Sequence, residues 1–404
     1  MQHRHFTVIG LSDSHHQWLA PQVQERIARG HIFSGGQRHH TLVAPLLPPG
    51  AEWIDIEAPL ERTFEAYTPH DDITVFASGD PLFYGFAATL QRRYPDARID
   101  VFPTFNSLQT LAHRTALPYH DMRCISLCGR PWTAFDSALI GGAPLVGLLT
   151  DRRKTPQAIA QRMVRYGYTH YTVTLGEQLG NETEERISTL SVGELATLDR
   201  PCRPPNCLIL RRADTQPAFP FGLPETLFEL LDGRANMITK APVRLATLAA
   251  LGLPRRRCLW DIGACTGSVS IEARRMAPDM LVESFEIRPA CRDIIDTNAR
   301  RFGTPGISLH MGDFLLQPLD TLPRPDAVFI GGHGGRLADI IGRVVPLLQP
   351  GGCVVLNAVS PASVSLFEEA CRLHRLDITL RQRIAVDTHN PILILRAEPA
   401  ADHS

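Results

Sequence analysis

The sequence has little lysine, no long apolar run and no cysteine pair with metal-ligand spacing. Lys154 and Lys240 are the only lysines among 41 basic residues. Genomic base composition is the simpler explanation, although planar guanidinium groups also suit a ligand with many carboxylates. No apolar run approaches the roughly 20 residues that span a bilayer, and no signal-peptide core follows Met1. These absences predict a globular protein of the cytoplasm without a membrane partner.

Metal and nucleic-acid binding are also disfavoured. The nine cysteines include no Cys-x-x-Cys, which argues against a disulfide framework or a thiolate zinc site. His15 and His16, like His39 and His40, are adjacent, and neighbouring side chains of a strand or helix point apart. We therefore expect no metal site. The net charge of −1 gives no electrostatic footprint for nucleic acid.

Strand-like and helix-like segments alternate along the whole chain, which predicts an α/β protein. The predicted strands are 6–11, 72–77, 98–102, 123–127, 144–149, 170–175, 207–211, 257–262, 280–287, 307–310, 326–330, 353–358, 378–385 and 392–396. The predicted helices are 21–29, 82–93, 107–116, 132–140, 156–166 and 242–251. A segment rich in proline and aromatics separates two cycles of this pattern. We therefore predict domains at 1–212 and 225–404, joined by a linker at 213–224.

Each predicted domain has a turn that follows a strand and precedes a helix, a position suited to a cofactor. The turns are SGDPLFYG at 78–85 and DIGACTGS at 261–268. They are too far apart in the chain to form one nucleotide pocket in a small domain. The chain therefore resembles two fused enzymes.

The glycines of the second turn favour S-adenosylmethionine (SAM) over a dinucleotide. A dinucleotide fingerprint needs glycine at 263, 265 and 268, and only Gly263 is present. The SAM pattern needs Asp261, Gly263, a glycine at 265 and Gly267. Cys265 is its one departure, so either the cofactor lies further out or the thiol packs beneath it. After the next two strands, Glu286 is the candidate for the ribose hydroxyls and Asp313 for the adenine.

The second domain resembles the decarboxylating precorrin-6B carbon-15 methyltransferases of cobalamin biosynthesis. The resemblance covers residues 225–397 and depends on the segments ITK at 238–240, LWDIGA at 259–264, GSVSIE at 267–272, DAVFIGG at 326–332 and NAV at 357–359. It implies that Gly331, Gly332 and Asn357 face the substrate. Lys240 and His333 are candidate catalytic residues, for a carboxylate or cofactor contact and for proton transfer.

The first domain resembles the tetrapyrrole methylases, specifically the carbon-5 precorrin methyltransferases. FASGDPLFYG at 76–85, GGQRH at 35–39 and SLCGRP at 126–131 carry the resemblance over residues 6–211. It implies a second SAM site with Gly10, Gly79, Asp80, Pro81 and Ser107. It also implies substrate contacts from Arg38, His39, Tyr84 and Arg130. The loop at 10–16, glycine-rich in the family, here retains only Gly10.

Together these resemblances imply a tetrapyrrole methylase of two α/β subdomains fused to a Rossmann-like class I SAM methyltransferase. The expected cofactors are one SAM per domain, and the expected substrate is a precorrin methylated at C5 and C15 with loss of the C12 acetate carboxyl. Two alternatives stay open: the same chemistry on cobalt-containing intermediates, and a SAM-binding protein with one silent domain. By analogy with tetrapyrrole methylases, we expect a homo-oligomer, a dimer or tetramer.

Overall fold

Three β-sheets organise the chain in the computed structural model, which describes residues 4–213, 219–386 and 391–400. Contacts group the described residues into two units, 4–130 with 144–161 and 171–213, and 131–143 with 162–170, 219–386 and 391–400. Part of the predicted linker, positions 214–218, lies outside the described residues.

The first unit contains two five-stranded sheets, with strand orders β3-β2-β4-β1-β5 and β6-β7-β10-β8-β9. The strands are β1 (His5–Leu11), β2 (Ile32–Gly35), β3 (Glu52–Asp55), β4 (Asp72–Ser78), β5 (Arg98–Phe102), β6 (Arg123–Ser126), β7 (Leu145–Leu149), β8 (Tyr171–Glu177), β9 (Arg186–Ser191) and β10 (Asn206–Arg212). The first sheet is parallel throughout. The second has one parallel pair, β6 with β7, and is otherwise antiparallel. This arrangement confirms the two α/β subdomains.

Eight α-helices lie between β1 and β10 in the chain, all within the described residues 4–213. They are α1 (Pro21–Arg29), α2 (Gln37–Val43), α3 (Glu61–Ala66), α4 (Phe86–Arg93), α5 (Ser107–Arg114), α6 (Thr133–Ile140), α7 (Pro156–Arg165) and α8 (Val192–Ala196). Of these, α6 and the end of α7 belong to the second unit. The predicted helix 82–93 was wrong at its start, because α4 begins only at Phe86. Tyr84 has a left-handed backbone with φ +56°, which no helix accommodates.

The third sheet, in the second unit, has the order β13-β12-β11-β14-β15-β17-β16. Its strands are β11 (Cys258–Ile262), β12 (Leu281–Glu286), β13 (Ile307–Met311), β14 (Ala327–Ile330), β15 (Cys353–Ala358), β16 (Leu376–Ile384) and β17 (Ile392–Pro399). The first five are parallel, and β17 pairs antiparallel with both β15 and β16. This confirms the predicted parallel sheet closed by an antiparallel final strand.

The helices of the third sheet bury apolar side chains against it. They are α9 (Ala241–Leu251), α10 (Ser268–Met276), α11 (Cys291–Arg301), α12 (Leu337–Val344) and α13 (Pro361–Leu373). Trp260 on the central strand β11 is fully buried, as are Val328 and Phe329 on β14. Strands that are covered on both faces have continuous apolar sequences. This explains why β11 and β14 could be predicted from sequence. Among the described residues, no helix is both long and apolar enough to cross a membrane.

Candidate functional site

The parallel strands of the first sheet end at one edge, and the predicted first-domain residues other than Arg130 lie at these strand ends or on the segments that follow them. Arg130 instead follows β6 of the second sheet. Gly10 and Gly79 bring two of these loops into contact. A Cβ atom on Gly10 would collide with the Gly79 carbonyl oxygen and lie 2.8 Å from the Thr104 nitrogen. The Gly79 amide donates to the Leu11 carbonyl at 2.8 Å, and Gly79 has φ +62°. Glycine is therefore required at both positions by close backbone approach.

The turn after Gly79 is tight and places an aromatic ring beside an arginine. Asp80 Oδ1 accepts a hydrogen bond from the Leu82 amide at 2.9 Å, and Gly85 packs against the Pro81 backbone. The Tyr84 hydroxyl donates to the Cys124 carbonyl at 2.8 Å. The Arg130 guanidinium lies 5.2 Å from the centre of the Tyr84 ring. The two predicted substrate residues are thus brought together by the turn.

Ser107 lies at the start of α5, on the loop that leaves β5. The residue before it, Asn106, caps this helix, since its Oδ1 accepts from the Gln109 amide at 3.0 Å. The Gln109 side chain accepts from the Asn106 amide at 3.0 Å in return. This reciprocal cap fixes the first turn of α5 beside Gly79, because a Cβ atom on Gly79 would lie 2.8 Å from Asn106 Cα.

Arg38 and His39 both contact a residue that sequence reasoning missed, Ser78. Arg38 Nη2 donates to Ser78 Oγ at 2.7 Å, and His39 Nε2 lies 2.9 Å from the same oxygen. Arg38 also forms an ion pair with Asp13. Burial, together with the positive charge of Arg38, lowers the pKa of His39 to about 4. His39 is therefore neutral at neutral pH.

The loop that retains only Gly10 is held by a carboxylate from the second sheet's β8–β9 connection. Glu182 accepts hydrogen bonds from the Ser14 hydroxyl and from the amides of His15, at 3.2 Å, and His16, at 3.3 Å. The Ser14 bond and these amides lower the pKa of Glu182 to about 2. An anion with several hydrogen-bond donors thus fixes the loop in place of the missing glycines.

The second-domain turn has the backbone shape that its sequence predicted. Gly263 and Gly267 have φ +80° and +74°, and Cys265 between them has φ +51°. A Cβ atom on Gly263 would lie 2.7 Å from the Gly332 nitrogen, so the β11 and β14 loops meet here. The Cys265 side chain is 7% exposed and packs with Cys291 and Ile295. The Cys265 thiol is therefore packed into the protein rather than exposed at the surface of the turn.

Asp261, the next-to-last residue of β11, has an incompletely paired carboxylate. Its Oδ2 accepts from the Ser270 hydroxyl at 2.5 Å and from the Ser270 amide at 3.2 Å. Burial raises the pKa of Asp261 to about 6, against the lowering effect of the Ser270 bonds. Asp261 Oδ1 and Thr266 Oγ1 are buried without a hydrogen-bond partner among the described residues. Buried polar atoms of this kind normally have a partner, so these two atoms suit a ligand that offers hydrogen-bonding groups.

Glu286 lies at the end of β12, as predicted for a ribose-binding carboxylate, but its acceptor sites are filled. Oε2 accepts from the Cys265 amide at 2.7 Å and from Arg288 Nη2 at 2.9 Å. Oε1 accepts from the Arg288 amide at 2.9 Å and Arg288 Nε at 2.8 Å. Burial alone would raise the pKa of Glu286, but these bonds outweigh it and the pKa is lowered. A carboxylate has about four acceptor positions, so a ribose must displace Arg288.

Asp313 is paired with an arginine from the glycine-rich β14 loop. Both Asp313 oxygens lie 2.9 Å from Arg336 Nη2, and Oδ1 also accepts from the Leu315 amide at 3.0 Å. The Arg336 bond is the largest cause of the lowered pKa of Asp313. Sequence reasoning missed Arg336, because nothing local marks it as a neighbour of the β13 loop.

The remaining predicted residues of this domain make mainly local contacts. Lys240 Nζ donates to the Ala235 carbonyl at 2.9 Å, and His333 Nδ1 accepts from the Gly335 amide at 3.2 Å. Burial lowers the pKa of His333, so the ring is neutral near pH 7. Asn357 Oδ1 lies 3.0 Å from the Thr247 hydroxyl. Gly331 leaves β14 with its amide bonded to the Ile262 carbonyl at 2.8 Å.

The residues of the second turn fit SAM. Asp261 Oδ1 and the Thr266 hydroxyl are buried without a partner among the described residues, and Glu286 can accept from a ribose diol once the Arg288 side chain is displaced. The backbone between Gly263 and Gly267 forms a bend at the start of α10, where amides and the helix dipole favour a carboxylate. The donor and acceptor set is therefore the one that an amino-acid nucleoside needs.

The fold and these turns define a two-domain SAM-dependent methyltransferase, with one parallel-sheet edge in each domain. A model of tetrapyrrole (corrin/porphyrin) methylases matches residues 5–196, and a model of precorrin methyltransferase domains matches residues 231–395. The chain belongs to the family of decarboxylating precorrin-6Y C(5,15)-methyltransferases. A member from a Sinorhizobium species is 33% identical over 360 residues, 88% of this chain and 84% of that protein.

Two shorter relatives each match less than half of the chain. A cobalt-precorrin-6B C(15)-methyltransferase (decarboxylating) from Salmonella typhi is 31% identical over 43% of this chain and 95% of its own length. A cobalt-precorrin-7 C(5)-methyltransferase from Salmonella typhimurium is 29% identical over 46% of this chain and 90% of its own length. Both activities in the family name thus have separate single-activity relatives.

Proposed function

We propose that this chain methylates a precorrin at C5 in its first domain and at C15 in its second, where it also removes the carboxyl group of the C12 acetate. The proposal is supported above all by the presence of a glycine-turn site at the sheet edge of each domain. One SAM per domain is part of the proposal. So are the boundaries 1–212 and 225–404, a homo-oligomer and a location in the cytoplasm.

The protein's main task in this chemistry is alignment rather than nucleophilic attack. When bound, SAM supplies a methyl group already activated by a sulfonium. In the second domain, Asp261, Thr266 and Glu286 would hold the cofactor, while Gly332, which has no atom within 4 Å of an added Cβ, leaves room for a flat macrocycle edge. Holding the two reactants in line and excluding water can provide most of the rate. His333, neutral near pH 7, is suited to moving a proton after methylation.

The test is an anaerobic incubation of the whole chain with metal-free precorrin-6B and SAM carrying a deuterated methyl group, followed by mass spectrometry. The expected product has gained two labelled methyl groups and lost one carbon dioxide. A single methylation would show that one domain is silent, and no methylation would contradict the proposal for this substrate.

The cobalt-containing substrate is the second candidate, favoured by the names of the two shorter relatives. A parallel incubation with the cobalt complex discriminates the two, because the metal would arrive with the substrate. Faster turnover of the cobalt complex would assign the chain to that substrate.

A further inference from the structure

Ser78 is the centre of a hydrogen-bond network at the first sheet's edge. It is the last residue of β4, it is exposed, and it directly precedes Gly79. Arg38 and His39, both on α2 after β2, reach the Ser78 hydroxyl oxygen from the neighbouring strand. Asp13, from the loop after β1, holds Arg38 in turn. Three adjacent strands thus contribute to the position of one hydroxyl group.

The hydrogen atoms of this network follow from its geometry. The Gly36 amide donates to His39 Nδ1 at 3.3 Å, so Nδ1 is the acceptor and a neutral ring carries its proton on Nε2. Nε2–H therefore donates to Ser78 Oγ. Arg38 can only donate, and it does so to the same oxygen. Both lone pairs of Ser78 Oγ are then used, which leaves the Ser78 O–H proton for an outside acceptor.

The acceptor chemistry is that of an anionic oxygen. The hydroxyl is polarised by two donors, one of them a guanidinium, so the complementary ligand group is a carboxylate. A tetrapyrrole with acetate and propionate chains provides such groups, and so does the amino-acid part of SAM.

We propose that the Ser78 hydroxyl donates a hydrogen bond to a ligand carboxylate in the first-domain site, and that Arg38 and His39 are positioning residues that act through Ser78. The proposal rests on the proposed C5 methylation. It gives His39 a different role from direct substrate contact, since its two ring nitrogens are already bonded to Gly36 and Ser78.

The experiment compares Ser78→Ala and Ser78→Thr with wild type in the whole chain. C5 methylation is measured together with C15 methylation and decarboxylation, which control for the concentration of chain, and thermal unfolding of each variant controls for the fold of the first unit. We expect Ser78→Ala to lower kcat/KM for C5 methylation about 10- to 30-fold, the effect of losing a hydrogen bond to a charged group. Ser78→Thr keeps the hydroxyl and should retain most of the activity. Ser188→Ala, on β9, is the matched control for removing a hydroxyl.

Binding measurements distinguish the two sources of the carboxylate without requiring turnover. If the carboxylate belongs to SAM, Ser78→Ala weakens S-adenosylhomocysteine binding at one site and raises the KM for SAM. If the carboxylate belongs to the tetrapyrrole, S-adenosylhomocysteine binding is unchanged. Tetrapyrrole binding, which is followed by absorbance, is weakened. Wild-type levels of both binding and C5 methylation in Ser78→Ala would overturn the proposal, as would equal loss in Ser78→Ala and Ser78→Thr.

The positioning role of His39 has its own readout. His39→Gln can still donate to Ser78, so C5 methylation should stay within about threefold of wild type, whereas His39→Leu should match Ser78→Ala. The pH profile of C5 kcat/KM should be the same for wild type and His39→Gln. Loss of a pH-dependent limb in His39→Gln would show direct proton transfer by His39 and contradict the positioning role. Failure of wild type itself to methylate C5 would instead refute the proposed function.

Discussion

Arg288 occupies the carboxylate that the cofactor ribose would use. All four acceptor positions of Glu286 are filled, three of them by groups of Arg288. Because a ribose must break the side-chain bonds, we expect Arg288→Ala to raise the affinity of the second site for S-adenosylhomocysteine about fivefold, corresponding to a net hydrogen-bond contribution of about 1 kcal/mol. Isothermal titration calorimetry at pH 8 measures this.

Arg292, on the first turn of α11, provides a control for removing a nearby positive charge. Arg292→Ala should leave the second-site affinity unchanged. A drop in affinity with Arg288→Ala would show that Arg288 contributes to ligand binding and that the ribose does not displace it.

Asp261 carries a stability cost that depends on pH. Its pKa is raised to about 6 in the fold from an unperturbed value of 3.8, chiefly by burial. The folded state therefore holds the proton more strongly than the unfolded state does. The resulting contribution to the free energy of unfolding is complete below pH 3.8 and is lost as pH rises through 6. Asp261→Asn keeps a side chain that can bond to Ser270 but cannot ionise.

We therefore expect the stability of Asp261→Asn relative to wild type to rise by about 1 kcal/mol from pH 5 to pH 8, because roughly half of the contribution is already lost at pH 5. Urea unfolding without ligand, followed by tryptophan fluorescence, measures the difference at the two pH values. An equal effect at both values would show that the Asp261 carboxyl does not titrate in this range.

At the scale of elements, the contact between the β1 and β4 loops depends on glycine at position 10. A Cβ atom there has no space between the Gly79 carbonyl and the Thr104 amide. Gly10→Ala should destabilise the first unit by about 3 kcal/mol, because backbone atoms cannot move aside as a side chain can. Gly193 in α8 has nothing within 4 Å of its added Cβ, so Gly193→Ala should instead stabilise by up to about 1 kcal/mol. Thermal unfolding measures both, and similar effects of the two substitutions would contradict the steric argument.

The central strands could be predicted from sequence, while β2, β3 and β9 could not. β4 and β11 have five consecutive buried residues, a pattern that is visible in the sequence. β2 and β3 have only four residues each and were missed. β2 is a strand because β4 and β3 pair with it on either side, and such pairing is not encoded locally.

The same distinction applies to the sites. Glycines and carboxylates at strand ends were identified because the family motifs place them there. The partners of two predicted residues were missed: Ser78, which bonds Arg38, and Arg336, which bonds Asp313. Each pair meets only when separate loops reach the same sheet edge. Arg288 is the exception, because it lies two residues after Glu286 and could have been considered as a local partner.

At the scale of the whole molecule, the candidate sites lie in different units and share no residue. The first uses the ends of β1, β2 and β4, and the second those of β11, β12 and β14. Each site has its own glycine turn, its own carboxylate and its own fixed loops. A substitution in one should therefore leave the other intact, which a single shared pocket would not allow.

This independence predicts two S-adenosylhomocysteine molecules per chain. Calorimetry on wild type should give a stoichiometry of two. Glu286→Gln should weaken only one of the two binding events, because the second site loses its ribose acceptor while the first site is unaltered. C15 methylation should fall with that event, whereas C5 methylation of a substrate already methylated at C15 should stay at the wild-type rate. Weakening of both binding events by Glu286→Gln, or a stoichiometry of one in wild type, would contradict two independent sites.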